Sequence, residues 1–151
     1  MAEISLLKLL SLFRSSELPK EQWTHRAHIR VALAYLREYA PPVSLGLLRE
    51  AIQRLNLEHG VLTTPESGYH ETRTRVWLAV LAHELARSGA DPEEIVERYC
   101  RRDVVLDYYR KETLESWQAR IGWVSPDLKP LALDPSGWGE ERPQLISLKP
   151  E

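Results

Sequence analysis

The feature that most constrains the fold is the spacing of apolar residues, which follows an α-helical period through residues 4–122. Apolar side chains three or four positions apart lie on one face of a helix. The run 76–82 is apolar all round, which is typical of a helix buried at the centre of a bundle. No segment shows the strict alternation of a half-buried strand. The sequence therefore predicts an all-α, single-domain helical bundle.

Prolines, glycines and capping residues divide this part of the chain into about five to six helices. Thr24 and Ser44 are the predicted N-caps of the second and third helices. The pair Pro41-Pro42 is predicted to interrupt the chain between these two helices. The string Asp-Pro-Glu-Glu at 91–94 combines three helix-start signals. The predicted helices span 4–13, 24–39, 44–58, 69–88, 91–109 with a break near 101–103, and 113–122.

The last part of the chain has a different composition. Five prolines interrupt residues 124–151, and neither a helical nor a strand pattern continues there. Four apolar residues in this stretch are unusual for a solvated linker: Leu128, Leu131, Leu133 and Trp138. We therefore expect a helical bundle over 1–123 and an extended, proline-rich tail over 124–151 that packs on the helices.

Charge and cysteine content exclude several classes of function. The 151 residues include 20 basic and 22 acidic side chains, so no excess of positive charge is available for a phosphate backbone. We expect no nucleic-acid partner. The apolar runs are too short to span a bilayer, and Cys100, the single cysteine, suits a reducing compartment. We expect a cytoplasmic protein without a membrane partner, and the sequence leaves its oligomeric state open.

Four of the five histidines fall near helix ends that the topology brings together. His25 and His28 begin the second predicted helix, His59 ends the third, and His70 and Glu71 begin the fourth. Helices joined by short links pack as antiparallel neighbours, so these ends share one layer of the bundle. His83 lies about 20 Å further along its helix and cannot join them.

Such a cluster has the composition of a transition-metal site. Neutral imidazole is the commonest metal ligand, and a carboxylate completes a set suited to Zn, Fe, Mn or Ni. We predict His25, His28 and His70 as ligands and Glu71 as a fourth ligand or general base. His59 is predicted as a further ligand, a partner of a ligand, or a general acid. An open coordination position would permit metal-assisted hydrolysis of a small molecule.

Two alternatives fit the same residues without a metal ion. The cluster is also compatible with a polar pocket for a small ligand, in a module that does not catalyse a reaction. It is also compatible with a hydrogen-bonded network that only ties helix ends together, in a protein whose apolar surface meets a partner. Trp23, Tyr35 and Tyr69 are candidate wall residues for a pocket beside the loop 61–68.

Two segments resemble a small family of bacterial helical proteins. Residues 23–28 have the pattern Trp-x-His-x-x-His, residues 68–72 read Gly-Tyr-His-Glu-Thr, and a Pro-Asp-Leu string follows at 126–128. The resemblance spans 23–131, and the family supplies no activity, so it implies no mechanism. The predicted layout is also similar to bundles of the DinB-like family, which hold a metal with three histidines at one bundle end. That similarity concerns the arrangement of the helices alone.

Overall fold

The computed structural model describes residues 3–138 and contains α-helices and short 3₁₀ turns but no strand within that range. The all-α prediction is confirmed. The α-helices are α1 (Leu6–Arg14), α2 (His25–Glu38), α3 (Pro41–Glu58), α4 (Glu71–Ser88), α5 (Pro92–Tyr99), α6 (Lys111–Leu114) and α7 (Trp117–Ile121). The 3₁₀ turns are Lys20–Gln22 and Val104–Asp107.

Side-chain caps determine where several helices begin. The Thr24 hydroxyl accepts from the Ala27 N–H at 3.1 Å, which confirms the predicted N-cap of α2. The predicted capping box at Asp91 is also present, and the Glu94 carboxylate accepts from the Asp91 N–H at 3.3 Å. Gly89 has the left-handed conformation, with φ of 66°, that ends α4 where the sequence predicts.

The predicted start of α3 at Ser44 is wrong. The helix begins at Pro41, with Ala40 as the N-cap residue. Proline is tolerated in the first helical turn because the N–H that it lacks would have no partner within the helix. Ser44 lies inside the helix, fully buried, and its hydroxyl donates to the Tyr39 carbonyl at 3.2 Å.

The fifth and sixth predicted helices are shorter than expected. The fifth ends at Tyr99, and a 3₁₀ turn over Val104–Asp107 replaces its second half. The Asp103 carboxylate accepts from the Val105 N–H at 3.3 Å and so starts that turn. The sixth divides into α6 and α7, because the Ser116 hydroxyl accepts from the Ala119 N–H at 3.1 Å and begins a new helix.

Helix α4 connects two apolar clusters. Leu78 and Leu81 belong to the larger cluster with α1, α2, α3 and α5, while Val76 belongs to a smaller one with Tyr109 and Leu114. All five of these side chains are at least 99% buried. The central position predicted for the run 76–82 is therefore found, and α4 presents different faces to the two clusters.

The irregular segment 123–138 is tied to the helices. The Tyr109 hydroxyl donates to the Val124 carbonyl at 2.5 Å, and the Leu128 N–H donates to the Tyr108 carbonyl at 2.9 Å. Leu131 and Trp138 pack against the two apolar clusters. The rest of the predicted tail, 139–151, lies outside the described residues. No helix within 3–138 combines the length and the apolar character needed to cross a membrane.

Candidate functional site

One cavity, which we call the histidine cavity, has a volume of about 690 Å³. It lies between α2, the C-terminal half of α3, the N-terminal half of α4 and the turn that follows α5. Most of its wall is apolar, and two indole rings contribute to it, those of Trp23 and Trp77. Its volume is within the range of small-molecule sites.

The structure brings three of the predicted site residues to this cavity. His25, His28 and His70 all contribute to its wall. His59 and Glu71 are not among the residues that form the wall, and Glu71 contributes to a second, smaller cavity. The antiparallel arrangement of α2, α3 and α4 therefore places the three histidines together, but the side chains of the other two residues have different partners.

The ring of His28 is held in one tautomer. Its Nδ1 lies 2.6 Å from the Thr24 carbonyl oxygen, which only accepts, so Nδ1 must carry the proton. The Trp23 indole stacks on the ring with the centroids 3.7 Å apart. In the neutral form, Nε2 therefore has a bare lone pair, and no hydrogen bond to it is found within residues 3–138. His28 supplies the cavity with a hydrogen-bond acceptor.

Burial lowers the pKa of His28 to about 4, although the hydrogen bond to Thr24 opposes that shift. The residue as a whole is exposed, but its ring stacks on Trp23 in the wall of a recess, where protein atoms replace bulk water around an imidazolium. The neighbouring His25 lowers the pKa further by charge. His28 is therefore neutral at pH 7.

A proton NMR titration of the His28 ring should give a midpoint near pH 4. Because the folded pKa is below the unfolded value of about 6.5, this group stabilises the fold above pH 6.5. That contribution is lost as the pH falls through 4. The resonance is assigned by its absence in His28→Phe. A midpoint at or above about 6.5 would contradict the assigned environment.

His25 is the least constrained of the three histidines. Its ring is exposed and approaches Trp77 edge-on, with the centroids 5.2 Å apart. No hydrogen bond from either ring nitrogen is found in the part of the chain that the structure describes. His25 is therefore free to bond a ligand through either nitrogen.

Both ring nitrogens of His70 have protein partners. As the N-cap of α4, Nδ1 accepts from the Arg73 N–H at 3.1 Å. Nε2 donates to the Leu114 carbonyl at 2.8 Å. Burial, together with the charges of Arg120 and Arg73, lowers the pKa of His70. The residue therefore holds the start of α4 against the end of α6 as a neutral imidazole.

The Glu71 carboxylate is saturated with donors. Oε1 accepts from Arg49 Nε and the Tyr69 hydroxyl, each at 2.9 Å. Oε2 accepts from Arg49 Nη2 at 2.6 Å and from Arg75 Nε at 2.7 Å. Burial alone would raise the pKa of Glu71, but the hydrogen bonds and charges of the two arginines outweigh it and lower the pKa. Glu71 is therefore an ionised partner of two arginines.

His59 ends α3 as its C-cap residue, away from the wall of the histidine cavity. Its Nε2 donates to the Leu18 carbonyl at 2.8 Å, across 41 residues of sequence. Leu18 is itself 99% buried in the larger apolar cluster. The contact ties the C-terminal end of α3 to the segment that follows α1.

The metal site stays a prediction from the sequence. Among residues 3–138, no three His, Cys, Asp or Glu side chains are arranged to hold a metal ion. For His70 or Glu71 to become a ligand, the hydrogen bonds described above would have to break. His25 and His28 are the predicted ligands whose rings remain available to a ligand in the cavity.

Several residues of the cavity wall are not among those predicted from the sequence. Arg73, Thr74 and Trp77 follow His70 on α4 at helical spacing, and this periodicity was a usable signal. Arg73 forms an ion pair with Asp103 at 2.6 Å, which a helix-only pattern could not reveal because Asp103 lies in the turn after α5. Of the predicted wall residues, Trp23 and Tyr69 contribute to the wall, whereas Tyr35 is buried and bonded to Arg14.

Comparison with known proteins adds no relative. No family model, no curated protein and no solved structure matches this chain. The resemblance to a bacterial family therefore stays an expectation.

Proposed function

We propose that this protein binds a small, uncharged, aromatic molecule in the histidine cavity and holds it by a hydrogen bond to His28 Nε2. The observation that carries the proposal is a mainly apolar cavity of about 690 Å³ with a neutral imidazole acceptor in its wall. This corresponds to the second of the functions that the sequence predicts, a metal-free pocket for a small ligand.

The wall favours an aromatic ligand. The rings of Trp23 and Trp77 form parts of the wall, and each already pairs with an imidazole ring of the cavity. Aromatic pairs contribute about 0.5–1.5 kcal/mol beyond the burial of their area. Aliphatic side chains of α2, α3 and α4 supply the rest of the apolar surface, among them Ile29, Leu48 and Leu81.

The charges around the cavity favour an uncharged ligand. The wall includes three arginines, and each has a carboxylate partner: Arg73 pairs with Asp103 at 2.6 Å, Arg102 with Asp107 at 2.9 Å, and the exposed Arg101 with Glu97 at 3.9 Å. These guanidinium groups therefore have carboxylate partners before any ligand arrives. A charged ligand would lose its hydration in a mainly apolar cavity without a free counter-charge to compensate.

Binding is favoured over general-base catalysis at His28. A base works best when its pKa lies near the working pH, and a pKa of about 4 makes His28 a weak base at pH 7. A weak base with a bare lone pair is still a good hydrogen-bond acceptor. A ligand with one O–H or N–H donor suits that group.

Calorimetric titration with 2-naphthol and 2-methoxynaphthalene tests the proposal, because the two probes differ in the hydroxyl donor. We expect 2-naphthol to bind about three- to tenfold more tightly to the wild-type protein, as one net hydrogen bond predicts. His28→Phe keeps a ring for Trp23 and removes the acceptor, so it should abolish the difference. His83→Phe is the matched control on α4 outside the cavity wall and should keep it.

Equal affinity for the two probes in the wild-type protein would overturn the role of His28. If neither probe binds the wild-type protein, and His28→Phe is folded, the proposed pocket itself is overturned. The variant Ala32→Trp checks independently that the probes occupy the cavity. Ala32 lies in the wall, so a larger side chain there fills the space that a probe would occupy.

The metal-binding alternative keeps one supporting observation, which is that His25 and His28 both contribute to the cavity wall. Two imidazoles need further ligands from water or from a bound molecule to complete a tetrahedral zinc shell. Elemental analysis of the purified protein before and after chelation tests this alternative.

The cytoplasmic location and the lack of a nucleic-acid partner likewise remain predictions from composition.

A further inference from the structure

A second cavity of about 310 Å³ lies on the other side of the start of α4. Its wall includes three arginines from three different helices: Arg49 of α3, Arg75 of α4 and Arg120 of α7. We call it the arginine cavity. The one carboxylate in its wall is that of Glu71, and the polar side chains of Gln53 and Thr63 complete the rim.

Glu71 does not use all the hydrogen-bonding capacity of these arginines. Its two oxygens accept four hydrogen bonds, three of them from Arg49 and Arg75, and a carboxylate has about four acceptor positions. Each guanidinium has five N–H donors. Arg75 also donates from Nη1 to the carbonyls of Pro135 and Ser136, at 3.0 and 3.1 Å. Among residues 3–138, no acceptor is found for Nη1 of Arg49 or Nη2 of Arg75, so these donors remain for a further acceptor.

Arg120 has no carboxylate partner within residues 3–138. Its Nη1 donates to the carbonyls of Gly68 and Tyr69, at 2.9 and 3.3 Å. Burial and the positive charge of Arg73 lower the pKa of Arg120, which shows that its surroundings disfavour a positive charge. An anion in the cavity would offset that cost by its opposite charge.

The net charge of the wall indicates how much negative charge a matching anion carries. Three guanidinium groups and one carboxylate leave an excess of two positive charges. A phosphate group has a charge of about −1.5 to −2 at pH 7 and offers three acceptor oxygens. Arginine matches such oxygens with paired N–H donors.

We propose that the arginine cavity binds a phosphate group, either as free phosphate or as the phosphate of a small monoester, through Arg49, Arg75 and Arg120. Glu71 positions two of these arginines and does not contact the anion. The site is separate from the histidine cavity, although Tyr69 contributes to both walls. Its test is therefore independent of the proposed binding of an aromatic molecule.

Calorimetric titrations with inorganic phosphate and with phenyl phosphate, at constant ionic strength set by chloride, test the proposal. We expect saturable binding to the wild-type protein and roughly tenfold weaker binding to Arg120→Gln, which loses one charge-assisted contact. Arg54→Gln is the matched control, because Arg54 is an exposed arginine of α3 outside the cavity wall. It should bind both probes like the wild-type protein.

A second variant keeps the test informative if Arg120→Gln fails to fold. Gln53 is exposed on α3, and Gln53→Glu adds a negative charge at the rim without removing a buried group. It should weaken phosphate binding by about fivefold, whereas Gln22→Glu, remote from the wall, should not.

Tighter binding of phenyl phosphate than of inorganic phosphate supports a site for a monoester, and equal affinity supports one for free phosphate. Absence of binding beyond the chloride background overturns the proposal. Binding that Gln53→Glu and a folded Arg120→Gln leave unchanged also overturns it, since the anion would then lie elsewhere.

Discussion

Replacing Glu71 with alanine should lower the free energy of unfolding by about 3–5 kcal/mol. The substitution removes the counter-charge of Arg75, whose side chain is 9% exposed, and of the partly buried Arg49. Without Glu71, the buried Arg75 guanidinium keeps its hydrogen bonds to the carbonyls of Pro135 and Ser136, but its positive charge has no counter-charge to compensate for the lost hydration. Urea denaturation followed by circular dichroism measures the change.

Glu50→Ala is the matched control for this prediction. Glu50 pairs with Arg54 four residues later, as Glu71 pairs with Arg75, but both members of the control pair are at least half exposed. Exposed pairs contribute about 0–1 kcal/mol, so the control should be nearly neutral. If both variants lost the same stability, the buried network would not have the role that its geometry indicates.

Replacing His70 with alanine should lower the free energy of unfolding by about 2–4 kcal/mol. About 1 kcal/mol comes from the N-cap of α4, which loses its acceptor for the Arg73 N–H. The remainder, roughly 1–3 kcal/mol, comes from the Leu114 carbonyl, which loses its buried donor. Chemical denaturation in the presence and absence of a chelator measures this loss.

The chelator separates a structural role of His70 from a role as a metal ligand. If the hydrogen bonds account for the loss, it has the same size with and without chelator. A loss that disappears in chelator would instead show that His70 stabilises the fold through a metal ion. His83→Ala provides the control, since the cavity wall does not include that half-buried residue.

The helices were largely predictable because their signals are local. The Thr24 cap, the Asp91 capping box and the Gly89 stop each act over a few residues, and all three are found. The errors have local causes as well. Pro41 suggests a break in the sequence, but the first turn of a helix tolerates proline, and α3 begins there. The end of α5 at Tyr99 depends on a turn that carries no strong breaker residue.

The candidate site was predictable in position but not in its bonding. Helix topology brought His25, His28 and His70 to one cavity. The partners of each side chain depend on residues distant in sequence, such as Leu114 for His70 and Arg49 for Glu71. Helical periodicity places a residue on a face, but it does not show which donor or acceptor from another segment reaches it. The arginine cavity was missed for that reason.

The hydrogen bonds from Arg75 to Pro135 and Ser136 also affect the order of folding. They connect positions 60 and 61 residues apart, whereas most contacts that guide helical proteins are short-range and form rapidly. During synthesis, α4 leaves the ribosome well before these carbonyls. Until they arrive, Arg75 has Glu71 on its own helix and otherwise only water. The interior around α4 therefore acquires its final hydrogen bonding when the segment after α7 docks.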